Sequence, residues 1–151
     1  MIASRRLAVR AALVALGLGL GACSTVDVGA PPADVNACRP SAQFFVAQIW
    51  PSYLAQSYSG KTCGDSSCHA SANRPLHIVA PTSTSTPTFP LVAGSDWDAL
   101  YQSAANQMNC SDVAGSELYT KPSGLSQHGG DKLFEPNGPE LGLLTQWVAG
   151  P

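Results

Sequence analysis

Charge is scarce in this chain. Only 12% of its 151 residues are Asp, Glu, Lys or Arg, about half the share usual for a globular domain. Histidine is scarcer, at three residues, and there are two methionines. No apolar run reaches the 18 or more residues that a lasting membrane helix needs. No segment alternates apolar and polar residues with the period of two that marks a half-buried strand. A serine elbow, a glycine-rich phosphate loop and a pair of carboxylates at helical spacing are also missing, which leaves no hydrolase or phosphoryl-transfer signature. With so few titratable groups, each histidine and cysteine is a candidate for chemistry.

The N-terminus reads as a targeting segment. Arg5, Arg6 and Arg10 form a positive region, and Ala11 to Leu20 an apolar stretch of about ten residues, too short to serve as a permanent span. Taking away residues 1–22 leaves five basic against ten acidic residues. A surface with that excess repels nucleic acid, which is excluded as a partner. Residues 23–37, with Gly29, Pro31 and Pro32 and few large apolar side chains, read as a flexible spacer. Residues 38–151 then suit one domain with a modest core.

The centre of that domain is Thr62-Cys63-Gly64-Asp65-Ser66-Ser67-Cys68-His69. Two cysteines followed directly by a histidine suit covalent haem: the thiols add across two vinyl groups and the imidazole lies beneath the iron. Four residues separate the cysteines where the usual attachment motif has two, and they are small and polar, so the loop can bulge. The same residues also fit a small Cys63–Cys68 disulfide loop, or part of a zinc site lacking a fourth ligand. In an oxidising compartment free thiols are unusual. On either the haem or the disulfide reading three cysteines remain; with Cys23 taken by the lipid that the lipobox resemblance below implies, Cys38 and Cys110 are left to pair with each other. Their large loop is worth about 4 kcal/mol in the chain-entropy model.

Three helices are expected. Ser41 caps a helix through Trp50 whose apolar face carries Phe44, Phe45 and Ile49, with Pro51 set to bend or end it. Ser95 caps a second, with Asp96 and Asp98 in its first turn and a stripe of Trp97, Leu100, Tyr101, Ala104, Ala105 and Met108. Met108 is a candidate sixth ligand to a haem iron, since a thioether is common there. Pro139 opens the last helix, Leu141, Leu144, Trp147 and Val148 form its face, and Gly150 stops it. The segment after His69 is irregular. Pro75 and Leu76 are placed to line the proximal side of a haem, His77 reads as structural, and Pro81 to Pro90 as an exposed loop.

Two resemblances extend this reading. Leu20-Gly21-Ala22-Cys23 resembles the lipobox of bacterial lipoproteins, which implies removal of residues 1–22, a lipid on Cys23 and, with Ser24 following, an outer-membrane anchor facing the periplasm or cell surface. Ser116, Leu118, Lys121, Pro122, His128, Gly129, Gly130 and Phe134, with Leu144 and Trp147 in the closing helix, resemble the later part of small c-type cytochrome domains of exported bacterial proteins. The similarity runs from about Phe44 to the C-terminus. It implies an all-α, cytochrome c-like fold of three or four short helices with long loops around one haem c. Cys63 and Cys68 are then the thioethers, His69 the proximal iron ligand and His128 the distal one. The implied function is one-electron transfer with a redox partner protein. A non-haem, disulfide-stapled lipoprotein and a small haem enzyme or sensor with an open iron site are the rival expectations.

Overall fold

Serine caps and a proline start the helices where the sequence places them. The computed structural model describes residues 39–83 and 85–150. The Ser41 side chain accepts from the Phe44 backbone N–H (3.2 Å) and opens α1 (Ala42–Phe44). Ser95 accepts from Asp98 (3.2 Å) and opens α2 (Asp96–Ala105), whose first turn carries Asp96 and Asp98. After a 3-10 turn (Val113–Gly115) come α3 (Glu117–Thr120) and α4 (Pro139–Ala149), the last with Pro139 in its first turn and Gly150 at φ +74° beyond its end. The described residues are helical with no strand; one isolated bridge joins Tyr58 and Lys61.

Pro51 neither ends nor breaks the first helix. α1 widens directly into a π-helical stretch, Phe45–Leu54, that runs through it. A proline offers no N–H, and its ring crowds the carbonyl four residues back in an α-helix. The wider turn, with bonds from residue i+5 such as Ala55 N–H to Trp50 C=O (2.8 Å), accommodates it. The gain is two more core side chains, Tyr53 and Leu54, each 1% exposed.

The core joins the two ends of the domain. Phe45 and Ile49 from the π stretch, Leu100 and Ala104 from α2, and Leu144 and Trp147 from α4 are all buried. Phe44, Trp97, Ala105 and Leu141 pack on its edge. α4 lies against the π stretch, with the Trp147 ring 5.5 Å from that of Phe45. Polar tips of buried aromatics tie loops to this frame, as their hydrogen-bonding capacity requires. Trp147 Nε1 donates to Ser41 C=O (3.0 Å), Tyr101 Oη to Pro40 C=O (2.7 Å) and Tyr53 Oη to Leu118 C=O, while Tyr119 Oη accepts from Asn137 N–H (2.7 Å).

Two expectations need adjusting. α2 stops at Ala105, so Met108 follows the helix in a turn instead of completing its stripe, and is partly buried. The segment from Glu117 to Thr120, to which no helix was assigned, forms the short α3 and buries Leu118 and Tyr119. Cys110 is disulfide-bonded; its expected partner Cys38 lies outside the described residues, as do the targeting segment, the spacer and Cys23. No described helix is long and apolar enough to cross a membrane.

Candidate functional site

The loop between the cysteines is short-range structure built around one carboxylate. Asp65 accepts from Thr62 N–H (2.8 Å) through one oxygen and from Thr62 Oγ1 (3.0 Å) through the other. Its backbone carbonyl accepts from Cys68 N–H (2.8 Å), and His69 N–H donates back to Cys63 C=O (3.1 Å). The four-residue spacing is thereby drawn into a closed turn with Cys63 and His69 at its neck. Gly64 is held for a steric reason, since a Cβ there would sit 3.3 Å from Ile78 Cγ2. Cys63 and Cys68 are both free thiols and half-buried, so the small disulfide loop that the sequence also allowed is not formed. Burial, and next the neighbouring Cys68, push the Cys63 thiol up to about 11, so it is protonated at neutral pH.

His69 is oriented from behind. Its Nδ1 lies 2.9 Å from Leu76 C=O, and Ile78 N–H returns to His69 C=O (2.8 Å), folding residues 70–78 over the ring. A carbonyl can only accept, so Nδ1 carries the proton and Nε2 keeps its lone pair. Burial lowers the pKa of His69 from its ordinary 6.5, which favours the neutral imidazole that a metal requires.

His128 repeats this arrangement from a different part of the chain. Its Nδ1 lies 3.0 Å from Asp131 C=O, so Nδ1 again serves as the donor. Asp131 takes φ +65° to turn the carbonyl back. Gly130 is needed there, because a Cβ would fall 3.0 Å from His128 Cε1, whereas a Cβ on Gly129 would meet nothing within 4 Å. The two imidazole rings have centroids 6.0 Å apart and planes 14° from parallel. A metal ion held end-on by one nitrogen of each ring, at about 2.0–2.1 Å, would need a centroid separation of roughly 6 Å.

The pair stands at a cleft of about 80 Å³, partly open to solvent. Its walls are mostly apolar, including Tyr53, Leu54, Leu76, Leu118, Pro122 and Leu133, and both free cysteines line it. Lys61, Glu117 and Lys121 supply the charge. Glu117 and Lys121 pair with each other at 2.6 Å. A second groove on Ser67, Arg74 and Gly129 shares Cys68, His69, His128 and Gly130 with the cleft, so the two imidazoles border space on more than one side.

The donor set suits a metal that brings its own equatorial ligands. Among the described residues no cluster of three or more His, Cys, Asp or Glu could hold a bare ion. Two imidazoles, two thiols and an apolar cleft fit a flat tetrapyrrole, which supplies four nitrogens itself.

Of the sequence candidates, Cys63, Cys68, His69, His128, Pro75 and Leu76 meet here, together with Leu118, Lys121, Pro122 and Gly130 of the later segment. Met108 does not join them; it lines a separate groove with Asn106, Asn109 and Ser116. His77 is anchored through the opposite ring nitrogen, Nε2 to Ala70 C=O (3.1 Å), and its N–H donates to Ser103 Oγ (2.7 Å), which is a structural role. Sequence reasoning missed Tyr53, Leu54, Lys61 and Leu133 as cleft residues and Asp65 as the clamp of the loop. The Thr-x-x-Asp spacing was the one available signal, since such pairs close local turns.

No protein-family model, no curated protein and no solved structure matches this chain.

Proposed function

We propose that this protein is a one-electron carrier that holds a single haem c between His69 and His128, with Cys63 and Cys68 as its thioether anchors. The observation that carries the reading is the pair of facing imidazoles, each tied through Nδ1 to a backbone carbonyl (2.9 and 3.0 Å), beside two free thiols. When bound, haem supplies an iron that takes up and releases one electron.

The chain's own residues favour transfer over catalysis. His69 and His128 would both be taken up in holding the iron, which would leave small molecules no free place on the metal. The walls beside them are mostly apolar and offer few groups that could act on a substrate. The lipobox-like Leu20-Gly21-Ala22-Cys23 supports export and a lipid anchor on Cys23, with the haem domain tethered at the outer membrane and serving a redox partner protein.

Expression of the full chain in a periplasm with haem-maturation machinery tests the proposal. Expected are a red protein whose haem survives a denaturing gel, sharp reduced α and β bands, and a low-spin spectrum that turns high-spin in His128→Ala. A colourless product beside a control cytochrome that matures normally sinks it. An unchanged spin state in His128→Ala points instead to an open iron site and an enzyme or sensor. Incorporation of labelled fatty acid, lost in Cys23→Ala, tests the anchor.

A further inference from the structure

The two thiols of the attachment loop are both free, but the turn holds them differently. Cys63 packs against the buried core at the neck of the turn, where its C=O accepts from His69 N–H (3.1 Å). The backbone beside it is hemmed in, since a Cβ on Gly64 would press on the buried Ile78 at 3.3 Å. Cys68 stands on the outer limb. Its N–H donates to Asp65 C=O (2.8 Å), and the two serines before it are exposed. Its Sγ lies 3.8 Å from the Ser67 hydroxyl. Cys68 borders both the cleft and the second groove, whereas Cys63 borders the cleft but not that groove.

On the haem reading each thiol forms one thioether. The sulfur adds to the inner carbon of a vinyl group, the thiol hydrogen ends on the outer carbon, and the double bond becomes single. Nothing leaves, and no oxidant or reductant is consumed. A thiol open on two sides can meet a vinyl group by either approach. One packed against the core can react only with a vinyl group already seated in the cleft. Once the first bond exists the second addition is intramolecular, and a fixed partner then helps because its position is already set.

We infer that the two thioethers form in order, with Cys68 as the capturing thiol and Cys63 as the closing one. This rests on the haem reading above and adds to it the sequence of attachment.

Two measurements test the order, one of them without haem. The haem-free full chain, with these thiols reduced, is treated with N-ethylmaleimide and with a bulky polyethylene glycol maleimide. Labelling of each cysteine is followed by peptide mass spectrometry. Cys68 is expected to react roughly tenfold faster than Cys63, with a wider gap for the bulky reagent and near-equal rates in urea. Equal labelling in the folded chain, a faster Cys63, or a gap that persists in urea overturns the inference. In a haem-maturing periplasm, Cys63→Ala should still carry haem through one thioether, read as the mass of one haem retained under denaturing conditions. Cys68→Ala should retain at most about a tenth as much, because its remaining thiol has lost the partner that delivers the vinyl group. Comparable retention by the two variants, or more by Cys68→Ala, overturns the order while leaving the haem site standing. A colourless parent overturns the haem reading and this inference together.

Discussion

The two imidazoles are presented by loops of unlike construction. His69 sits at the neck of a turn closed by the Asp65 carboxylate, by the Cys63 carbonyl and by the folded-back segment that ends at Ile78, itself 1% exposed. His128 stands on a loop of exposed residues, oriented by one carbonyl from Asp131 and given room by Gly130. The first imidazole is buttressed by backbone bonds and core packing, the second by one hydrogen bond and the absence of a side chain. A site built this way has a fixed side and an adjustable side. The fixed side is also the one next to the thiols, where covalent chemistry needs groups held in place.

The largest expected difference comes from deleting each imidazole in turn. On the haem reading, His69→Ala should abolish stable haem incorporation, because the ring adjoins the attachment cysteines. His128→Ala should keep the haem and change only its spin state, as absorption and EPR spectra of the two purified variants would show. Equal loss of haem in both would erase the distinction between the sides.

Next in size is the clamp. Asp65→Ala removes two hydrogen bonds to Thr62 and leaves a backbone N–H to be re-solvated, at a cost of about 1–3 kcal/mol. Urea unfolding of the haem-free chain measures it, and the yield of covalent haem should fall alongside. A variant as stable as the parent would show that the turn closes without the carboxylate.

On the adjustable side the effect is smaller and specific to one glycine. Gly130→Ala should perturb the His128 ring, which its Cβ would approach to 3.0 Å, whereas Gly129→Ala meets open space. EPR g-values that move in the first variant and stay put in the second would sharpen the contrast; movement in both would make the loop's flexibility the cause.

The smallest effect is a pH slope. Burial lowers the His69 pKa from 6.5, so between the folded value and 6.5 the unfolded chain binds more protons than the folded one. The stability contributed by neutral His69 is present above 6.5 and is lost as pH falls through that window. Denaturation midpoints of the haem-free chain should drop with pH there, and the slope should flatten in His69→Gln.

Much of the frame was legible along the chain. Ser41, Ser95, Pro139 and Gly150 mark helix ends through hydrogen bonds and backbone preferences that act within a turn. The spacing of Phe45 and Ile49, of Leu100 and Ala104, and of Leu144 and Trp147 located the core for the same reason: one helix turn sets which side chains share a face. Pro51 misled because its local preference is to end an α-helix, while the burial of Tyr53 and Leu54 rewards continuing in a wider one.

By itself, then, the sequence determined the helices, the apolar stripes and the Cys63–Cys68–His69 cluster, all properties of residues within a few positions of one another. Tertiary structure set the distance at which His69 and His128 meet and put Met108 in a separate groove. It also decided that both imidazoles turn the same nitrogen to a carbonyl. His69 and His128 stand 59 positions apart in the chain, and their meeting depends on how the π stretch, α3 and the loops pack, which no local spacing encodes.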